Sequence, residues 1–317
     1  MLKYFLKIFR GKRNFIKFEK MKIKNNSILC FGEVLWDRLP TGTKPGGAPL
    51  NVAIHLNAIG LNASLASSIG NDEAGTQLLA FIQDSGLDTA LLQVDKMLPT
   101  SEVLVHLDAS NNATYEICEP VAWDNILLNE KLSEKANQAG LLIYGSLASR
   151  NETTRNTLSK LLDTDALKLI DINLRAPYDK KEVVDLLLSR SDIIKLNDIE
   201  LAQIAEWYSI TTKNEKELIR WLSKNYNIEM VCVTKGEKGA LIFLNNIFYE
   251  HPGFKIRAVD TVGAGDAFLA GLVASLLQNK PPDKALAFAC ATGAFVASKS
   301  GATPKYNMKE INAILAS

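Results

Sequence analysis

Six short apolar runs, at 28–31, 65–69, 141–144, 167–172, 193–196 and 230–233, alternate with helix-length segments along most of this chain. Runs of this length suit strands buried on both faces, the environment of a parallel sheet covered by helices. Parallel neighbours need a crossover connection, and the segments at 50–59, 74–84, 153–162, 199–208, 215–226 and 284–298 have the length for one. The expected fold is therefore α/β, a mostly parallel central sheet flanked by helices. Residues 101–118 depart from the pattern. They read as two strands around the loop 108–112, with Val103, Val105 and Leu107 alternating with polar neighbours as a half-exposed sheet requires. With the irregular piece 38–47 they are expected to form a small β lid, its segments near 38–46 and 101–122. That lid would cover the carboxyl edge of the sheet, where ligands of open α/β sheets bind.

The chain is 47% apolar and 22% charged, and no apolar stretch approaches the roughly 20 residues that cross a bilayer. No membrane span is expected. Net charge is +1, but residues 1–24 carry nine Lys/Arg against one Glu, so the remainder stands at −7. An acidic body without basic clusters lacks a nucleic-acid footprint. The basic head interleaves aromatic and aliphatic residues with its cations, which suits either a membrane-surface anchor or residues preceding a true start at Met21. Residues 1–26 are read as an extension outside the fold, and 27–317 as one α/β unit. Cys30, Cys118, Cys232 and Cys290 are isolated in sequence, which points to reduced thiols and a cytoplasmic setting.

The run 260–266, Asp-Thr-Val-Gly-Ala-Gly-Asp, carries the chemistry. A strand-like segment, 254–259, precedes it and an apolar helix-like segment, 267–277, follows, so Gly263 and Gly265 fall where a strand turns into a buried helix. First-turn N–H groups there lack internal partners and carry partial positive charge, which suits a phosphoryl oxygen. Asp266 in that first turn is placed to take a proton from an attacking hydroxyl. The same residues also suit a plain tight turn followed by a helix-start acid. Two nucleotide motifs are excluded: Phe268 stands where Gly-x-Gly-x-x-Gly needs its last glycine, and no Walker-type sequence occurs.

Taken with Gly46-Gly47-Ala-Pro-Leu-Asn51, this run resembles the two signatures of the ribokinase-like sugar kinases, the PfkB carbohydrate kinases, over residues 28–304. Gly32-Glu-Val-Leu-Trp-Asp37 and Glu119-Pro-Val-Ala-Trp-Asp124 look closest to the fructokinase branch. The resemblance implies an ATP- and magnesium-dependent kinase making fructose 6-phosphate, with Asp266 as base and the N–H groups of Gly263, Ala264 and Gly265 as the anion hole. Ribokinase, 2-keto-3-deoxygluconate kinase and a non-catalytic sugar or nucleotide sensor stay open beside it. It further implies that Asp37, read as ending the first strand, binds sugar hydroxyls with Gly46, Gly47 and Asn51, and that Arg175 of Asp171-Ile-Asn-Leu-Arg175 meets substrate charge.

By the same resemblance Asn197 and Glu200 organise phosphate and magnesium-bound water, while Thr234, Gly236 and Gly239 meet the nucleotide. Residues 289–293 and 298–302 resemble the adenine side. Asp260 matches a position linked to a monovalent cation, potassium, in relatives, and relatives lead one to expect a homodimer. Read without the family, Asp171 and Arg175 suit an ion pair with each other, Asn51 an N-cap, Asn197 and Glu200 a capping box, and 234–239 a hairpin turn.

Overall fold

The computed structural model describes residues 23–39, 42–107 and 113–317. The loop at 108–112 and most of the basic head, residues 1–22, lie outside the described residues. From β1 (Ser27–Phe31) the chain bends into a hairpin, β2 (Leu35–Leu39) and β3 (Gly42–Gly46), then passes through α1 (Ala48–Ala58) to β4 (Asn62–Gly70). Next come α2 (Glu73–Asp84) and β5 (Leu92–Asp95), a second excursion in β6 (Glu102–Leu107) and β7 (Ala113–Ile117), and α3 (Glu130–Gln138). A regular alternation follows: β8 (Leu141–Gly145), α4 (Glu152–Leu161), β9 (Leu167–Asp171), α5 (Lys181–Leu188), β10 (Ile193–Asn197) and α6 (Asp198–Trp207). After α7 (Glu215–Tyr226) come β11 (Met230–Thr234), β12 (Ala240–Leu244) and β13 (Ile247–His251). The chain ends with α8 (Ala264–Leu277), α9 (Pro282–Ala297) and α10 (Met308–Leu315).

Nine strands pair in the order β13-β12-β11-β10-β9-β8-β1-β4-β5. All neighbours are parallel except β11 with β12 and β12 with β13. Strand alternation sends Leu29 and Phe31 of β1 to one face, against Leu158 of α4 and Leu132 of α3, while Ile28 and Cys30 face Leu50 of α1 and Leu269 of α8. The result is three layers with apolar cores on both sides of the sheet, as the largely apolar strands require. β1 pairs with β4 on one side and β8 on the other, so the connections diverge there and leave a crevice at the carboxyl ends of the strands.

The small second sheet has the order β3-β2-β6-β7. Two expectations change here. The described residues of 38–47 are not irregular: β2 and β3 form a regular antiparallel pair with Asp37 opposite Lys44. Asp37 therefore lies within β2 and does not end β1, because the chain leaves the main sheet after Phe31 and Gly32 turns with φ 145°. The small sheet is tied to the body at both ends of its β6–β7 hairpin. Asp72, the N-cap of α2, accepts from Thr100 N (2.8 Å) and Thr100 Oγ1 (2.6 Å). At the return, Arg150 donates to both oxygens of Asp124 (2.8 and 2.7 Å) and to the Cys118 carbonyl (2.8 Å), stacked 4.0 Å over Trp123.

The strand expected at 254–259 is absent. Pro252 has no N–H to pair and Gly253 turns left-handed (φ 82°), so the chain leaves the β13 edge. It is caught instead where Val259 N donates to the Ala297 carbonyl (2.8 Å) at the end of α9.

Candidate active site

Gly263 is the N-cap of α8 and adopts φ 77°, a left-handed conformation that costs an L-residue about 1–2 kcal/mol. A Cβ there would lie 2.5 Å from the Ala302 carbonyl oxygen, so both conformation and space demand glycine. No side chain caps this helix. Of the three N–H groups expected to face a phosphoryl, that of Ala264 is turned to the Thr261 carbonyl at 3.2 Å. Those of Gly263 and Gly265 have no hydrogen-bond partner among the described residues. The Ala264 N–H thus closes the turn, while those of Gly263 and Gly265 stay open at the start of α8.

Asp266 follows in the first turn of α8, half-buried at the crevice. Burial pushes its carboxyl up to about 6, against the pull of Lys195, an Asn51 hydrogen bond and Arg175. Asn51 donates Nδ2–H to Asp266 Oδ2 at 2.9 Å. It is not an N-cap: Gly47 holds that position in α1, and Asn51 stands one turn further in. Gly46 stands opposite Leu35 across the hairpin, and a Cβ on it would meet Asp37 Oδ2 at 2.5 Å. Burial raises the Asp37 carboxyl too, and the Arg175 guanidinium opposes it.

The structure pairs Asp171 with Lys195, not with Arg175. Lys195 Nζ donates to Asp171 Oδ2 at 2.6 Å, both residues buried. Arg175 is exposed, donates Nη1–H to the Leu174 carbonyl (2.8 Å) and acts at longer range on Asp266, Asp37 and Glu33. Asn197 and Glu200 do form a capping box on α6: Asn197 Oδ1 accepts from Glu200 N (2.8 Å), and Glu200 Oε2 from Asn197 N (2.8 Å). Glu200 Oε1 also accepts from Leu174 N (2.9 Å), which fastens the Asp171–Arg175 loop to α6. Thr234 is the last residue of β11, Gly236 opens the short 3₁₀ turn that leads to β12 and Gly239 caps it, and among the described residues no hydrogen bond links them to Asp266.

Asp260 accepts from Val262 N (3.0 Å) and Gly301 N (3.0 Å), with Lys44 Nζ 3.6 Å away. These backbone donors hold its carboxyl below the usual range. Among the described residues no group of three or more His, Cys, Asp or Glu is arranged to hold a metal. A cavity of about 320 Å³ beside Arg150 contains none of the residues named above for the site.

Two residues of this region escaped the sequence reading. Lys195 interrupts the apolar run 193–196, and a lysine inside a buried strand is the signal for it, since lysine is almost never fully buried unless paired. Glu33 is 2% exposed at the bend after β1, its Oε2 unpartnered, and burial lifts its carboxyl to about 7.

A family model described as pfkB family carbohydrate kinase matches residues 25–308. The chain belongs to that family. Among relatives of this pfkB-family kinase, probable fructokinase-3 of Arabidopsis thaliana is 29% identical over 306 residues, 87% of each chain. The structure of a fructokinase from Xylella fastidiosa with bound ATP superposes with TM-score 0.77 at 22% identity, covering 92% of this chain and 98% of that one. 2-Dehydro-3-deoxygluconokinase of Thermotoga maritima superposes with TM-score 0.79 at 17% identity, covering 92% and 100%. Kinases of different sugars thus match the fold about equally well, and the fold does not select the sugar.

Proposed function

We propose that this pfkB-family kinase transfers the γ-phosphoryl group of ATP to a primary hydroxyl of a monosaccharide, with fructose the leading substrate. The observation that carries the reading is Asp266: a carboxylate with a pKa of about 6, half-buried behind a glycine turn and held by Asn51. A base with a pKa just below neutrality is ionised at working pH yet still takes a proton readily.

In the step itself, the sugar hydroxyl gives its proton to Asp266 as its oxygen bonds to the γ-phosphorus. The bond from γ-phosphorus to the β,γ-bridging oxygen breaks, and ADP carries away that electron pair. The free N–H groups of Gly263 and Gly265, at the positive end of α8, face the charge on the transferring group. Asp37, Gly46, Gly47 and Asn51 hold the sugar, and Arg175 meets substrate charge. Asn197, Thr234, Gly236 and Gly239 hold the nucleotide.

The described residues offer no closed metal cage, which fits magnesium carried in on nucleotide phosphates with its own waters. Glu200 would hold a magnesium-bound water, and the ion when bound spreads the phosphate charge. Asp260 fits potassium poorly, because two N–H donors and Lys44 already surround its carboxylate. In this reading residues 27–317 form the catalytic unit and the small sheet closes over the sugar. A cytoplasmic setting belongs to the same proposal, since all four cysteines are free.

The fructokinase relatives favour fructose, while the Thermotoga structure keeps 2-keto-3-deoxygluconate as the second reading. The deciding experiment is ADP release from ATP and magnesium with fructose, ribose, glucose, 2-keto-3-deoxygluconate and adenosine, with Asp266→Asn as control. Fructose-selective turnover that collapses in the control supports the whole reading. Selective turnover of another sugar moves the substrate. Ligand-induced stabilisation without ADP from any of them replaces the kinase with a sensor.

A further inference from the structure

Lys195 stands opposite Asp171 of β9 and Cys232 of β11 in the register of the main sheet. Its side chain enters the face that packs against α1, α8 and α9, which is apolar along the rest of these strands: Leu169, Ile193, Met230 and Cys232 all belong to that core. The ammonium ends directly beneath the first turn of α8. A Cβ on Gly265 would lie 3.3 Å from Lys195 Nζ.

This is an unfavourable place for a cation. The N-terminal end of a helix carries partial positive charge, so an ammonium under it opposes the macrodipole. Burying the Lys195–Asp171 pair does not account for it either, because a buried ion pair is commonly matched or bettered in stability by apolar residues of the same volume. What the position does provide is a positive charge directed at carboxylates. Lys195 faces Asp171 in contact, and Asp266 and Glu200 at longer range.

We propose that Lys195 is a positioning residue for phosphoryl transfer: seated on Asp171 beneath Gly265, its ammonium keeps the Asp266 carboxylate ionised and anchored at the glycine turn. The inference rests on the proposed role of Asp266 as base. The groups facing Asp266 from each packed element are Lys195 of β10, Asp171 of β9, Asn51 of α1, Arg175 after β9 and Glu33 after β1. Lys195 is the foremost of those favouring its ionised form, ahead of Asn51 and Arg175, while Asp171 works against it. Burial draws the lysine's own pKa down, but the charge and hydrogen bond of Asp171, together with the charges of Asp266 and Glu200, keep it above the ordinary lysine value, so the ammonium persists across the working range. Asp171 thereby serves Lys195, and Lys195 serves Asp266.

The test compares pH profiles of kcat/KM for ADP release by the wild type, Lys195→Met, Lys195→Arg and the charge-balanced pair Lys195→Met/Asp171→Asn. The acid limb of Lys195→Met should move up by about one pH unit, so that its deficit against the wild type at pH 5 is roughly tenfold larger than at pH 9. Lys195→Arg should restore most of the wild-type limb. The double variant, which removes the supporting cation and the opposing Asp171 charge together, should fall between the wild type and Lys195→Met, and it remains informative if the single variant fails to fold. A uniform loss of rate with an unmoved acid limb in all three would overturn the proposal and leave Lys195 a structural residue. Carboxyl ¹³C NMR titration of aspartate-labelled protein, with Asp266→Asn to identify the signal, reads the same shift without turnover. If the wild type phosphorylates nothing, the kinase reading falls while this titration still decides the role of Lys195.

Discussion

Asn51 and Asp266, 215 residues apart in the chain, are joined by a 2.9 Å hydrogen bond from the amide of one to the carboxylate of the other. The bond fastens the first turns of α1 and α8 together at the crevice and favours the ionised form of Asp266. Hydrogen bonds to charged groups are worth about 1.5–3 kcal/mol. Asn51→Leu should therefore lower kcat/KM by roughly 10- to 100-fold and shift its acid limb upward. The check is a steady-state pH series, and an unmoved limb would mean that Asn51 serves the sugar alone.

Asp266→Asn should lower kcat by roughly 10² to 10⁴-fold, the usual contribution of a general base. Binding of ATP and sugar, followed by calorimetry, should change little. Comparable turnover in the variant would remove Asp266 from the base role.

With its carboxyl pushed up to about 6 from the 3.8 of an ordinary aspartate, Asp266 in the proposed role of base must lose a proton to work. The rate should rise with pH through about 6 and level off above it. Stability runs the other way. Between these two values the folded chain binds the proton that the unfolded chain has lost, so stability falls as pH rises. Asp266→Asn removes that cost. Because the carboxylate opens on the crevice and is partly solvated, the gain is discounted to about 1–2 kcal/mol above pH 7, vanishing below pH 4. Urea denaturation at several pH values measures it, and equal stability at pH 8 would show that the ionised carboxylate is fully accommodated.

Gly263→Ala places a methyl group 2.5 Å from the Ala302 carbonyl oxygen and forces a left-handed alanine. A loss of about 1–3 kcal/mol in stability is expected. Turnover should fall at least 100-fold, since the clash shifts the turn and its N–H groups out of place, and one oxyanion donor is worth about that much. Thermal denaturation beside ADP release checks both. A variant with full kcat would show that this N–H faces no phosphoryl group.

Asn197 illustrates a limit of local reading. As the N-cap of α6 it forms a reciprocal box with Glu200, in which Asn197 Oδ1 and both Glu200 oxygens accept from backbone N–H groups. If Glu200 also holds a magnesium-bound water, Glu200→Gln should raise the magnesium concentration for half-maximal rate severalfold while leaving the sugar KM unchanged. A purely structural role for Glu200 would lower stability and leave the magnesium dependence as it was. Denaturation and a magnesium titration, run side by side, separate the two.

The sequence by itself determined the layers. Apolar runs at 28–31, 141–144 and 230–233 are uninterrupted because both faces of a parallel sheet are buried, and that property is local to each strand. The glycine turn before α8 was legible for the same reason, since a left-handed residue and a following helix are set by neighbours in sequence. Position relative to the sheet was not. Asp37 reads as the end of β1, but Gly32 turns the chain away and pairing with β3 and β6 places it in the second sheet. The partner of Asp171 was equally hidden, because Arg175 is near in sequence while Lys195 is near only in register. Electrostatics depends on separation in space and on how much water is excluded, neither of which a linear pattern contains. Only the packed sheet decided that a lysine from β10, an aspartate from β9, an asparagine from α1 and an aspartate from α8 surround one point.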